Sequence, residues 1–152
     1  YWDNPEATAE ATAGNWFHTG DGGTFEDGYI VIADRKKDVI ITGGENVSSI
    51  EVEDALNSHP AVREVAVIGI PDEKWGELIT ALVVLDPSAG SADGPPAVDE
   101  AGLIAHCREH LAGYKCPKRI EFRDELARTA TGKLQKFKLR QPFWEGHDRQ
   151  VN

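Results

Sequence analysis

The sequence predicts an α+β fold: a small domain with a central sheet covered by helices, preceded by a short β-rich segment. Three observations predict it. Segments that read as strands fall at 39–42, 64–70, 78–85 and 119–123. Stretches of helical spacing lie between them, after Ser48 and from Asp99. The resulting order, β-β-α-β-β-α-β-α, contains no internal repeat.

The elements follow in turn. Glu6 to Ala13 is rich in Ala, Thr and Glu and predicts a short helix. Residues 16–18, 23–25 and 29–33 predict short strands, with turns at Thr19–Gly23 and Glu26–Gly28. Val39–Thr42 predicts another strand, which Gly43-Gly44-Glu45-Asn46 breaks. Ser48 and Glu51 form a capping box, and Val47 and Val52 stand where a hydrophobic staple places them. The helix they open ends at Ser58-His59-Pro60. Glu64 to Ile70 predicts a strand stopped by Pro71. The long apolar run of Leu78 to Leu85 predicts a strand buried on both faces. Residues 86–97 are rich in Pro, Gly, Ser and Ala and predict a flexible loop. A helix over 99–112 places Leu103, Ile104, Cys107 and Leu111 on one face, with Gly113 as its stop. Arg119 to Arg123 predicts a strand, and Lys136 to Arg140 a terminal helix ending before Pro142.

The 152 residues amount to about one domain, and their net charge of -10 argues against a general nucleic-acid binder. The charge is uneven, because residues 115–140 carry nine Lys and Arg against three Asp and Glu. Such a basic stretch either attracts a compact polyanion or forms a solvated surface around a helix. No apolar run approaches the roughly 20 residues of a membrane span, so no transmembrane segment is expected. No leader peptide opens the chain, and two cysteines make no disulfide framework, so a reducing cytoplasm is expected. The chain begins Tyr1-Trp2 without Met, as expected of a piece of a longer chain.

Several chemical readings fail on the residues. Gly132-Lys133 is no P-loop, because Leu134 stands where Ser or Thr must follow and the upstream glycine is missing. His106 and His110 have i,i+4 spacing, but they read as a solvated helix face rather than a zinc site. No Ser/His/Asp or Cys/His set supports nucleophilic catalysis. What remains is a lysine on a glycine turn, Thr131-Gly132-Lys133, together with Trp16–Asp21 and the charged cluster Asp34–Asp38.

Four stretches, Trp16–Asp21, Tyr29–Asn46, Val65–Glu77 and Arg128–Arg140, occur in this order over nearly the whole chain. In these the chain resembles the C-terminal portion of an AMP-forming acyl-CoA synthetase, of the adenylate-forming superfamily that includes luciferase and nonribosomal peptide adenylation domains. The resemblance implies that residues 1–36 end a large N-terminal AMP-binding domain and that 37–152 form a mobile C-terminal domain. It implies an acid–CoA ligase that uses a carboxylic acid, ATP and CoA, with a fatty or other aliphatic acid expected. Mg²⁺ would accompany ATP, bound mainly by the N-terminal domain, and no metal ligands are expected in this chain. Asp21 then matches the ribose-binding aspartate, and Arg35 an arginine on the ribose side. Lys37 matches the hinge, and Lys133 the lysine that bridges carboxylate and α-phosphate. Gly43 and Gly44 match the loop lining the pantetheine tunnel. Tyr114, Lys115 and Cys116 fall near the CoA nucleotide. One departure is Leu126-Ala127-Arg128, where the family commonly has Leu-Pro-Arg. Two alternatives stay open: an adenylation domain that loads a carrier protein, and a non-catalytic interaction module.

Overall fold

The computed structural model describes residues 1–89 and 98–147. A short helix, α1 (Pro5–Ala11), opens the chain and is capped by Asn4, whose side chain accepts from the Ala7 N–H. Strands β1 (Asp21–Glu26) and β2 (Tyr29–Arg35) then pair as an antiparallel hairpin. A single 3-10 turn, Lys36–Asp38, leads into the main sheet. That sheet contains β3 (Ile40–Thr42), β4 (Glu45–Val47), β5 (Val62–Asp72), β6 (Gly76–Leu85) and β7 (Arg119–Phe122). Helices α2 (Ser49–Asn57), α3 (Glu100–His110) and α4 (Lys136–Trp144) complete the fold. The α+β class and the alternation of elements are as the sequence predicts.

The sheet order is β4-β3-β6-β5, and β7 lies parallel to β6. Because β5 pairs along the full length of β6, β3 and β7 share the other edge of that strand. Alternate residues of β5 and β6 therefore point into two cores. Val65, Val67, Ile79, Ala81 and Val83 pack with Val52, Leu56, Leu103 and Cys107 of α2 and α3. Ala66, Ile68, Ile70, Leu82 and Val84 pack with Leu126 and, from α4, Leu139 and Phe143. This is the two-faced burial that the apolar run of β6 predicts. Leu82 is 1% exposed at the centre of the second core. Leu82→Ala is expected to cost about 2–5 kcal/mol, read as a lower urea midpoint at an unchanged denaturant slope.

Helix α2 starts as its sequence requires: Ser48 accepts from the Glu51 N–H, and Val47 and Val52 are both fully buried. Other boundaries differ from expectation for physical reasons. Gly43 and Gly44 do not break a strand. They form the two-residue turn of the β3–β4 hairpin, with φ of 60° and 84°. Paired positive φ values mark the hairpin turn that twists with its strands. Residues 16–18 form no strand, since no neighbour supplies a ladder among the described residues. β5 continues through Pro71, because it is an edge strand whose outer side needs no N–H donor. α3 ends at His110, before Gly113, with its cap residue Leu111 turned to extended backbone and packed against the first core. α4 runs through Pro142 to Trp144. Packing of Leu139 and Phe143, and a Trp144 Nε1–H bond to the Gly69 carbonyl at 2.9 Å, outweigh the lost helix bond. Of the loop expected over 86–97, Pro87–Ala89 form a 3-10 turn and 90–97 lie outside the described residues. Among the described residues no helix is long and apolar enough to cross a membrane.

Candidate functional site

Lys133 sits on a turn that the backbone builds and two side chains anchor. Arg128 and Leu134 form an isolated antiparallel bridge. Across it the Thr129 N–H donates to the Lys133 carbonyl at 2.8 Å, and the Lys133 N–H donates to Thr129 Oγ1 at 3.0 Å. Gly132 takes a φ of 85°, a left-handed conformation that a side chain would strain. The Arg128 guanidinium donates to the Gly132 carbonyl at 2.7 Å and to Glu64 Oε2 of β5 at 2.6 Å. Beyond the turn, Lys136 Nζ lies 2.7 Å from both Ser49 Oγ and Glu53 Oε1. The side chain of Lys133 itself is exposed. Its position is fixed by both ends of the turn, while its ammonium projects outward.

Lys136 belongs to a buried polar network that ties three elements together. Its ammonium donates to Ser49 Oγ, whose hydroxyl donates to Asp34 Oδ2 at 2.7 Å. Asp34 is 3% exposed and also accepts from the Ser49 N–H at 2.6 Å. A carboxylate there satisfies a free donor at the start of α2 and meets the positive end of the helix dipole. Glu53 accepts from the Val67 N–H of β5 at 2.7 Å. Burial pushes the Glu53 carboxyl above its ordinary value, although Lys136 and the Val67 N–H pull it down. The end of β2, the start of α2 and the start of α4 are thereby locked in one arrangement.

The 3-10 turn Lys36–Asp38 lies beside this network. The Lys36 N–H donates to the Gly20 carbonyl at 2.8 Å. Arg140 of α4 donates to the Lys37 carbonyl at 3.2 Å and pairs with Asp38 at 3.4 Å. Asp21 and Arg35 face each other across the first hairpin at 3.9 Å.

Two clefts meet at this turn. One, of about 500 Å³, is lined by Arg35, Lys37, Lys133 and Lys136 with Asp38 and Glu53. The other, of about 890 Å³, is lined by Phe17, His18, Asp21, Arg35 and Lys37. Arg35 and Lys37 line both, so four residues singled out by the motifs converge here: Asp21, Arg35, Lys37 and Lys133. Such a surface sets mobile cations and a carboxylate around a space open to an anionic ligand carrying hydroxyls.

The remaining predicted residues line neither cleft. Gly43 and Gly44 are exposed at the β3–β4 turn, and the Gly43 N–H donates to the Trp75 carbonyl at 2.8 Å. A side chain at Gly43 would meet the Trp75 ring at 3.0 Å. Tyr114 is 48% exposed. Lys115 is held by both carboxylate oxygens of Glu51, at 2.6 and 2.7 Å, and this hydrogen bonding pushes its pKa up. Cys116 is buried in the first core, 1% exposed, with its thiol turned to the Leu111 and Ala112 carbonyls. Burial pushes the neighbouring thiol of Cys107 up to about 11, so it stays protonated and inert. Sequence reasoning missed the Asp34–Ser49–Lys136–Glu53 network and Trp75. Asp34 lay within a recognised charged cluster, but its partner on α2 carries no local mark.

Comparisons with known proteins bear on this arrangement. The chain is 48% identical over 144 residues to a feruloyl-CoA synthase of Amycolatopsis sp, covering 94% of this chain and 28% of that protein. It is 46% identical over 144 residues to the long-chain-fatty-acid–CoA ligase FadD13 of Mycobacterium tuberculosis, covering 94% and 27%. The chain thus spans about a quarter of the length of the curated relatives it matches. Among solved structures it is similar to ATP-bound MatB from Rhodopseudomonas palustris, with a TM-score of 0.81 and 38% identity over 97% of this chain and 28% of that one. The model of the AMP-binding enzyme C-terminal domain matches residues 51–133, more than half of the chain, and the chain belongs to that family.

Proposed function

We propose that this chain is the C-terminal part of an ATP-dependent, AMP-forming acid–CoA ligase that acts on a fatty or other aliphatic acid. Residues 1–36 end the N-terminal AMP-binding domain, and 37–152 form the mobile domain. The observation that carries the reading is the convergence of Asp21, Arg35, Lys37 and Lys133 around two clefts that meet at the 36–38 turn. The similarity to curated CoA ligases supports CoA, rather than a carrier protein, as the acceptor.

In the first step a carboxylate oxygen attacks the α-phosphorus of ATP. The bond to the bridging oxygen breaks, and pyrophosphate leaves. Lys133 stabilises the charge that develops between the carboxylate and the α-phosphate. Asp21 accepts hydrogen bonds from both ribose hydroxyls, and Arg35 steadies that side of the nucleotide. In the second step the CoA sulfur attacks the acyl carbonyl, the thiol proton departs, and AMP leaves. Lys37 is the hinge that exchanges the two arrangements. Gly43, Gly44, Tyr114 and Lys115 border the path of the CoA arm, and Cys116 supports that segment from within the core. Mg²⁺ accompanies ATP, but the carboxylates here do not fit its site. Asp34 is committed to Ser49, Asp38 to Arg140 and Glu53 to Lys136. In this reading the N-terminal domain mainly supplies the ligands of that ion. The buried, free thiols of Cys107 and Cys116 accord with a reducing cytoplasm.

A pyrophosphate-release assay with ATP and a panel of carboxylic acids tests the division of the site. The complete enzyme turns over, and the isolated chain does not. Turnover by the isolated chain would sink the claim that the site is shared.

A further inference from the structure

We propose that the C-terminal end of α3 carries a binding site for a divalent transition metal ion such as Zn²⁺, formed by His106, Glu109 and His110. The three residues occupy positions i, i+3 and i+4 of one helix, and their ligand-capable atoms all lie within 4.8 Å of one another. Tetrahedral coordination at about 2.0–2.2 Å needs a somewhat closer set. Glu109 and His110 are exposed and free to rotate inward.

His106 is the member of the set whose ring is held by hydrogen bonds. Its Nε2 lies 3.0 Å from the Ala55 carbonyl and 2.8 Å from Ser58 Oγ. A carbonyl oxygen only accepts, so Nε2 carries the proton. Ser58 has its own hydroxyl directed at the same carbonyl, at 2.7 Å, and is free to accept from the ring. The lone pair is then left on Nδ1. Metal-bound imidazoles usually donate their second ring N–H to a carbonyl or carboxylate, which fixes tautomer and ring orientation. His59 adds a second constraint, packing edge-on to the His106 ring at a centroid distance of 5.0 Å. The His110 ring lies 4.6 Å from that of His106 on its other neighbour contact. Two imidazoles and one carboxylate suit Zn²⁺, Cu²⁺ or Ni²⁺ rather than Mg²⁺ or Ca²⁺, and they leave a position for water.

The site stands at the last turn of α3, directly before the Leu111–Cys116 segment. Chelation across that turn would hold the helix end and stiffen the Tyr114-Lys115 stretch. This consequence for CoA rests on the function proposed above, whereas metal binding itself does not.

The test is a titration of the tag-free chain with Zn²⁺, followed by calorimetry, thermal unfolding and histidine ¹⁵N NMR. One equivalent of Zn²⁺ should bind and raise the Tm, with excess Mg²⁺ failing to compete. His106 should coordinate through Nδ1 with Nε2 still protonated. His110→Gln and Glu109→Gln, both at exposed positions, should each weaken binding by about tenfold or more. The proposal is overturned if no stoichiometric binding occurs, if the double variant binds Zn²⁺ as tightly as the native chain, or if His106 binds through Nε2. Zn²⁺ binding that leaves thioester formation by the complete enzyme unchanged would overturn the consequence for CoA and leave the metal site standing.

Discussion

Lys133→Ala in the complete enzyme should lower the rate of adenylate formation by about 10²–10³, the usual effect of removing one electrostatic donor. Thioester formation from supplied acyl-adenylate should stay near the native rate. The expectation follows from how the turn is built. Its hydrogen bonds run through the backbone of Thr129, Gly132 and Lys133, and Arg128 and Lys136 anchor its two ends. Truncating an exposed side chain removes a charge and leaves that frame intact. Acetylation of Lys133 would remove the same charge and should reproduce the defect. Separate measurement of the two half-reactions checks this, and equal losses in both would contradict the role given to Lys133.

Lys37→Pro should have the opposite signature. Proline fixes φ near the value usual for a 3-10 turn, the element in which Lys37 sits. A swing about this residue requires other backbone angles, and proline forbids many of them. Adenylation should proceed almost as in the native enzyme. Thioester formation should slow by about 10²-fold, the scale of loss when reacting groups are slightly misplaced. The lock beside the turn sharpens the expectation. Arg140 holds the Lys37 carbonyl and Asp38, and Asp34 is bonded to the start of α2. If Lys37 is the hinge proposed above, a rotation there would break some of these contacts, and their present form would mark one of the two arrangements. Pre-steady-state rates that match native values in both steps would remove Lys37 from the hinge.

Local signals in the sequence were legible where local physics decides the outcome. The Ser48 cap, the Val47–Val52 staple and the two-faced β6 strand are all as the sequence predicts. The Gly43-Gly44 turn is also locally encoded, but a glycine pair followed by Glu45-Asn46 reads as a break as readily as a hairpin turn. Pro71, Pro142 and Gly113 show where local rules yield. An edge strand needs no donor from Pro71. Core contacts of Leu139 and Phe143 carry α4 past Pro142, and packing of Leu111 ends α3 before Gly113. The network around Asp34 was not legible at all. Its bonds join residues 15 and 87 positions apart, and nothing in the spacing of the serines marks them as partners. The site shows the same division. Ordered motifs singled out Asp21, Arg35, Lys37 and Lys133, while the side chains that anchor them emerge only from the fold.

In the function proposed above, this domain serves a ligase with two steps and a CoA acceptor. The most direct measurement is mass-spectrometric identification of the products made by the complete enzyme from ATP, CoA and a panel of fatty and aromatic acids. The complete enzyme should form an acyl-CoA thioester in equal amount with AMP, release pyrophosphate and prefer an aliphatic acid. Adenylate that accumulates without reacting with CoA, or ADP in place of AMP, would contradict it.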